Sequence, residues 1–183
     1  TCGACQAGYM CSDVQACEAD DLEPGNVCFN PFFIPSAPYE VTGSTDGFNA
    51  NYFFGGTSCP GESYGMGSAS NDVAYRFTAP FTATYTFRLM GDFDSLLYVV
   101  DDCFDIDATC HGASDLYNGA EESVAVSMVA GQTVFVLVDG FSNASNFKGS
   151  YTLTVDEPCI PSCAGKQCGG DGCGATCGEC VGK

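Results

Sequence analysis

The sequence predicts an all-β protein, an antiparallel β-sandwich or jelly roll with a disulfide-rich extension at each end. Three observations predict it. Short apolar segments in the middle of the chain alternate with polar residues, no long amphipathic helix pattern is present, and the 14 cysteines gather mainly at the two ends. Alternation with a period of two is typical of strands with one face on a core. Six or more such strands in succession favour a sandwich.

The composition divides the chain into three zones. Residues 1–30 form a cysteine-rich N-terminal segment, residues 31–157 hold nearly all the aromatic and aliphatic side chains, and residues 158–183 form a cysteine-rich tail. In the tail, Ile160 and Val181 are the only sizeable aliphatic residues. The tail therefore cannot fold around an apolar core, and we expect crosslinks to order it.

Alternating segments predict half-covered strands in the middle zone. Four of them, at 72–79, 83–90, 123–128 and 149–155, place their apolar residues on one face. The predicted inward-facing residues are Val73, Tyr75, Phe77, Tyr85, Phe87, Leu89, Val124, Val126, Met128, Tyr151, Leu153 and Val155. Two further segments, 95–101 and 133–140, are continuously apolar and are predicted as central strands covered on both faces. Residues 39–43 are predicted as one more strand.

The cysteines predict a disulfide framework and an oxidising compartment. Zinc is the rival interpretation, since Cys2/Cys5 and Cys177/Cys180 are C-x-x-C pairs. Cys103 and Cys110 enclose a short loop, and we expect them to pair with each other. The remaining cysteines then form an N-terminal and a C-terminal group of six, each with open connectivity. These groups are Cys2, Cys5, Cys11, Cys17, Cys28 and Cys59, and Cys159, Cys163, Cys168, Cys173, Cys177 and Cys180.

Several features predict an extracellular protein. The chain starts at Thr1 without an apolar signal core, as expected after removal of a signal peptide. Its apolar runs are too short to span a bilayer. The net charge of −18, with only five Lys and Arg residues, excludes nucleic acid as a partner. The same charge disfavours an anionic membrane surface.

Two parts of the chain resemble known bacterial sequences. The segments NDVAYRFTAPFTATYTFRL (71–89), FDSLLYVVDDC (93–103) and AGQTVFVLVDG through GSYTLTV (130–155) resemble the pre-peptidase C-terminal domain, in the version found in large secreted myxobacterial proteins. The likeness covers residues 37–157. The tail is similar to a cysteine-rich repeat, C-x-P-x-C-x-G-K-x-C-G-x-D-G-C-G, of the same bacteria. This resemblance implies a β-sandwich, secretion and a non-catalytic role, with calcium or polysaccharide as ligands in some members.

The chain carries little that is typical of an enzyme. His111 is the single histidine and is expected in a solvated acidic loop, and no G-x-S-x-G turn accompanies it. No P-loop, Rossmann fingerprint or H-E-x-x-H sequence occurs. We therefore expect no catalytic residues and no required cofactor.

Calcium is the metal that the sequence favours. Hard cations prefer several oxygen ligands from flexible loops. The two acidic stretches that flank the segment 95–101 supply six carboxylates, Asp92, Asp94, Asp101, Asp102, Asp105 and Asp107. Solvated loop acids are the alternative interpretation in so acidic a chain. Asn143 begins the single N-glycosylation sequon and is a possible modification site.

Two functions remain open at this stage. The first is a secreted structural subunit that assembles head-to-tail with copies of itself into a fibre or surface layer, with the terminal extensions docking on neighbours. The alternative is an accessory module of a larger secreted protein that binds polysaccharide or calcium. Exposed tyrosines and the aspartate clusters would carry the second function.

Overall fold

The computed structural model describes residues 23–53, 59–60, 70–116, 119–141, 147–156, 158, 160, 163–166, 168–170 and 177–178, and the backbone of 9–11 and 17–19. These residues form eleven strands and one short helix. The elements are β1 (Tyr9–Cys11), β2 (Cys17–Ala19), β3 (Phe32–Ile34), β4 (Tyr39–Ser44), β5 (Val73–Thr78), β6 (Ala83–Gly91), β7 (Ser95–Val100), α1 (Ile106–Thr109), β8 (Cys110–Ser114), β9 (Glu122–Met128), β10 (Thr133–Gly140) and β11 (Ser150–Val155).

Two sheets form the sandwich, which confirms the predicted fold class. The first has the order β3-β5-β10-β7-β8, and we call it the covered sheet. The second has the order β4-β11-β6-β9, and we call it the open sheet. Strands β1 and β2 form a separate two-stranded ribbon. All pairings are antiparallel except that of β3 with β5, which is parallel.

The core lies between the two sheets and contains the side chains that the alternation predicted. All twelve predicted inward-facing residues are buried and belong to one apolar cluster. Phe77 packs edge-to-face against Tyr85 and Phe87 across the layers. The hydroxyls of Tyr75 and Tyr151 satisfy each other at 2.7 Å, so two polar groups enter the core as a hydrogen-bonded pair.

The covered sheet has a second apolar cluster on its outer face. Its members include Ala74, Leu96, Tyr98, Val100 and Leu137, all fully buried. The chain segments that carry Cys28, Cys59, Tyr52 and Ile106 lie over them. The prediction that the segments 95–101 and 133–140 form strands covered on both faces is therefore confirmed.

The predicted disulfide between Cys103 and Cys110 was wrong. Cys103 pairs with Cys28, and Cys110 pairs with Cys59, with Cα atoms 6.3 Å and 5.2 Å apart. The predicted N-terminal group of six therefore does not close on itself. The physical reason is that α1 separates Cys103 from Cys110, while the segments over the outer face bring a distant cysteine to each.

Three local features differ from the sequence-based expectation. Residues 23–30 pack on the sandwich, with Asn26, Val27 and Cys28 buried, so the packed body begins before the predicted boundary at residue 31. Strands β3 and β8 were not predicted, and His111 lies on β8 rather than in a loop.

The C-terminal tail is described at a few positions. Cys163 pairs with Cys177, and Cys168 is also disulfide-bonded. The Cys163–Cys177 pair joins two members of the predicted C-terminal group. The disulfides between the described cysteines indicate an oxidising compartment. No helix in the described part of the chain is long and apolar enough to cross a bilayer.

Candidate functional site

An aromatic groove opens on one side of the sandwich, between the edge strands β3 and β4. Its volume is about 330 Å³, which is within the usual range of small-ligand sites. The side chains that line it are mainly aromatic: Phe32, Phe33, Tyr39, Phe48, Tyr75 and Tyr151, with Val41, Thr42, Gly43 and Ser44 beside them. The groove is therefore a place where the apolar interior reaches the surface.

Local packing gives the groove its shape. Phe32 contacts Phe48 edge-on and lies at a tilt to Tyr75, with ring centroids 6.3 Å and 5.4 Å apart. Gly43 leaves room for the Tyr151 ring, because a Cβ at Gly43 would lie 2.6 Å from the ring's Cζ and Oη. A glycine in this edge strand thus permits the buried tyrosine pair at the floor of the groove.

Strand β4 borders the groove and leaves one backbone edge free. The Thr45 amide donates to the Gly149 carbonyl at 2.9 Å, so the backbone of Thr45 faces β11. Successive residues of an antiparallel strand face alternate sides. The N–H and C=O groups of Glu40, Thr42 and Ser44 therefore point away from β11, and no strand of the described chain pairs with them.

Strand β9 leaves the opposite edge of the open sheet free. The Asp156 amide donates to the Thr86 carbonyl at 2.9 Å, which fixes the facing of alternate residues along β6. Phe87 of β6 therefore faces β9, and its partner there is Val124. By the same alternation the backbone groups of Ser123, Ala125 and Ser127 point outward, and within the described residues no strand pairs with them.

The edges of the covered sheet are blocked. On β8, the Ala113 amide donates to the Pro60 carbonyl at 2.9 Å, and the Cys59–Cys110 disulfide holds that segment in place. Strand β3 has only three residues, and Pro31 and Pro35 flank it. Prolines and covering segments are common protections of sheet edges. Among the described residues, the two sheet edges without a pairing strand or a covering segment therefore belong to the open sheet.

The buried carboxyl group of Asp72 holds the loop that carries Phe48, and a second buried carboxyl group, that of Asp139, lies near it. Asp72 accepts hydrogen bonds from the Asn51 and Tyr52 amides at 2.6 Å and 2.9 Å. Burial raises the pKa of Asp72 to about 7. Burial, and then the nearby charge of Asp72, also raise the pKa of Asp139 well above its ordinary value. The Tyr98 hydroxyl donates to Asp139 at 3.1 Å.

The side chain of Asn26 completes this polar support. The side-chain oxygen of Asn26 accepts a hydrogen bond from the backbone amide of Asn49. The backbone carbonyl of Asn26 accepts one from the side-chain amide of Asn51. This cluster was not predicted, because its members are far apart in the chain and become neighbours only when the loop folds back over the sheet.

The six aspartates predicted as calcium ligands do not converge. Asp92 and Asp94 precede β7 and the other four follow it, and a strand of that length separates its ends by about 20 Å. Asp92 accepts from the Ser150 amide at 2.8 Å. Asp102 accepts from the Phe104 amide at 2.9 Å. Among the described residues no group of three or more acidic, histidine or cysteine side chains is arranged to hold a metal. Calcium binding stays an untested prediction.

The other predicted sites have simple outcomes. His111 Nε2 lies 2.8 Å from the Asp101 carboxylate on a partly exposed surface. Asn143, the predicted glycosylation residue, lies outside the described residues. Sequence reasoning missed the groove, although Phe32, Phe33 and Ile34 between two prolines are a local sign of a short apolar edge strand.

The chain is similar to several solved structures, each at low sequence identity. The pre-peptidase C-terminal domain of a Bacillus anthracis collagenase aligns at 12% identity and a TM-score of 0.45, over 69% of this chain and 94% of that one. PliG of Aeromonas hydrophila, a periplasmic inhibitor of g-type lysozyme, aligns at 15% identity and 0.43, over 69% and 96%. An adhesin domain of Lys-gingipain from Porphyromonas gingivalis aligns at 16% identity and 0.33, over 63% and 89%.

No protein-family model and no curated protein matches the chain. The cysteine-rich repeat expected for the tail has no counterpart among these findings.

Proposed function

We propose that this protein is a secreted, non-catalytic structural subunit that assembles with copies of itself into an extracellular fibre or surface layer. The observation that carries the proposal is the open sheet, on which no described strand pairs with either edge, while both edges of the covered sheet are blocked. Unpaired edges of this kind accept a further strand from another chain. Since the edges of the covered sheet are protected, the unprotected edges of the open sheet are best explained as contact surfaces.

The cysteine-rich extensions are proposed to dock on neighbouring subunits. A disulfide joins Cys163 to Cys177 in the tail, so part of the tail is a closed, crosslinked unit. Crosslinked segments with little apolar content resist proteolysis and lose little entropy on binding. These properties suit a connector between subunits outside a cell.

Electron microscopy of the unreduced protein, across a range of salt concentrations, tests the proposal. Salt is varied because a charge of −18 makes the subunits repel one another at low ionic strength. Regular filaments or sheets are the expected result. Dispersed single particles under every condition would overturn the structural-subunit function.

Paired serine variants test the role of the tail without touching the sandwich. Cys163→Ser with Cys177→Ser should weaken assembly and leave the unfolding of the sandwich unchanged. The matched control is Cys59→Ser with Cys110→Ser, which removes a crosslink from the sandwich itself. If the tail variant assembles as well as the wild type, the tail is not the connector.

A second function is favoured by the aromatic groove. We propose as the alternative that the protein is an accessory module whose groove binds a polysaccharide, since aromatic rings beside hydroxyl groups suit the faces and edges of sugar rings. Titration of polysaccharide fragments by calorimetry tests it, with Phe48→Ala as the groove variant and Phe104→Ala, an exposed phenylalanine outside the groove, as the control. Equal binding by both variants would exclude the groove. A parallel titration with calcium alone tests the metal.

A further inference from the structure

We infer that the subunits join head-to-tail through the open sheet, with β9 of one copy pairing antiparallel with β4 of the next. This inference rests on the proposed self-assembly and adds the strands, the register and the direction of the contact. For the two strands to pair, they must run antiparallel, their unpaired backbone groups must point toward each other, and opposed side chains must share a face of the sheet. The open sheet satisfies each requirement.

Strand direction agrees because the open sheet has an even number of strictly antiparallel strands. Its order is β4-β11-β6-β9, with antiparallel pairing at every step. The two edge strands therefore run in opposite directions. When a second copy is added in the same orientation, its β4 lies antiparallel to the first copy's β9, and the alternation continues across the junction.

Backbone facing also agrees. The outward groups belong to Ser123, Ala125 and Ser127 on β9 and to Glu40, Thr42 and Ser44 on β4, as the hydrogen bonds at the ends of these strands establish. The register that uses all of them places Ser123 opposite Ser44, Ala125 opposite Thr42, and Ser127 opposite Glu40. Each matched pair exchanges two hydrogen bonds in an antiparallel ladder, so this junction forms about six.

Side-chain facing keeps the two surfaces of the sheet distinct. Ser123, Ala125 and Ser127 are exposed while their neighbours on β9 are buried. On β4, Glu40 and Thr42 are exposed on the same outer face. Because directly opposed residues project to the same side of a sheet, the proposed register places polar next to polar and apolar next to apolar. A slip by one residue would reverse this arrangement.

The edge residues carry little charge. Among the six outward-facing residues, Glu40 is the single ionisable one, in a chain with 23 acidic residues. Like charges opposite each other destabilise a strand pair, and many exposed edges use charges to prevent such pairing. The near absence of charge on both free edges favours a second copy of this chain as the occupant.

Both sides of the junction also expose apolar side chains. Leu116 and Val129, at the two ends of β9, are 49% and 60% exposed. The buried Glu122 carboxylate accepts from the Leu116 amide and the Ser114 hydroxyl, which fixes Leu116 beside the edge. The aromatic groove opens on the β4 side. Contact between the two sides would remove these apolar groups from water.

The layers differ in width, and this predicts the curvature of the assembly. The covered sheet has one more strand than the open sheet, which makes it about 5 Å wider. When copies join edge to edge through the narrower open sheet, their wider covered sheets need more room. Neighbouring copies must therefore tilt apart on the side of the covered sheet. The assembly therefore curves with the open sheet on its inner side.

The test is the critical concentration for assembly, measured by sedimentation, for three variants whose folding is checked by thermal unfolding. Thr42→Pro removes an edge-facing amide for which the described residues supply no partner, and should raise the critical concentration about tenfold. Ser127→Glu places a carboxylate opposite Glu40 of the next copy and should raise it about threefold. Ser127→Glu combined with Glu40→Lys restores an attractive pair and should return it to the wild-type value.

The matched control combines Ser127→Glu with Ser44→Lys, which keeps the new carboxylate opposite Glu40, places the lysine opposite Ser123 instead, and should not restore assembly. Restoration by this control as well, or assembly of Thr42→Pro and Ser127→Glu at the wild-type concentration, would overturn the junction while leaving self-assembly intact. Absence of assembly by the wild type under all conditions would overturn both the junction and the proposed function.

Discussion

The covered sheet and the open sheet use similar sequences for different purposes. Both present alternating apolar side chains to the shared core. The covered sheet buries its outer face as well, and disulfides and prolines close its edges. The open sheet keeps a polar outer face, and no described strand pairs with either of its edges. In the described chain, the sheet that is buried on both faces is therefore distinct from the sheet whose edges have no pairing strand.

The largest expected effect comes from opening the cover of the covered sheet. Cys28→Ser with Cys103→Ser removes a crosslink between residues 75 positions apart, and should lower the free energy of unfolding by about 4 kcal/mol. Denaturant unfolding measures it. The control is Cys163→Ser with Cys177→Ser in the tail, which should leave the sandwich transition in place. Equal losses in the two variants would contradict a cover specific to this sheet.

The next effect compares the outer faces of the two sheets directly. Leu137→Ala creates a cavity in the buried outer cluster of the covered sheet and should cost about 3 kcal/mol. Thr154→Ala, on the outer face of the open sheet, should change stability by less than about 0.5 kcal/mol. Urea unfolding of both variants gives the difference. A small loss for Leu137→Ala would show that the outer cluster contributes little.

The free energy of unfolding should depend on pH because of Asp72, which holds the loop against the covered sheet. Burial raises its pKa to about 7 in the folded state, while the unfolded chain releases the proton near pH 4. At pH values between these two pKa values, the Asp72 carboxyl group is therefore protonated in the folded state and ionised in the unfolded chain. Stability should fall by about 2 kcal/mol from pH 5 to pH 7 and level off above that.

Asp72→Asn is the matched variant for this dependence, because an amide keeps an oxygen acceptor for the Asn51 and Tyr52 amides. Its unfolding free energy should change less with pH than that of the wild type. Identical slopes in the two proteins, measured by urea unfolding at each pH, would show that Asp72 is ionised in the folded state.

The smallest effect is expected on the outer face of the open sheet. Arg88 forms ion pairs with Glu121 and Asp156 at 2.7 Å and 2.8 Å, and all three side chains are substantially exposed. Exposed pairs of this kind typically contribute less than about 1 kcal/mol. Arg88→Ala should therefore change stability only slightly, and 1 M salt should reduce even that difference. A loss as large as that of Leu137→Ala would place this face among the stabilising elements.

Much of the fold could be predicted from the sequence, because strand alternation is a local property. Val73, Tyr75 and Phe77 alternate with polar or small residues, and the structure buries all three. The continuous apolar character of β7 and β10 likewise indicated strands covered on both faces. Each of these conclusions depends only on residues that are neighbours along the chain.

The disulfides and the candidate site could not be predicted in the same way. Cys103 and Cys110 are close in sequence, but their partners are 75 and 51 positions away. The groove joins Phe32, Phe48 and Tyr151 from three separate segments. Contacts of this kind depend on how the loops return across the sheets, which no short stretch of sequence specifies.

The two-faced strands, the oxidising compartment and the acidic surface follow from the sequence alone, because alternation, cysteine content and charge act locally or additively. The three-dimensional fold sets which strands lie at the edges, which edges the loops cover, and which backbone groups have no partner among the described residues. Edge position is a property of strand order, and strand order arises from pairings between segments far apart in the chain.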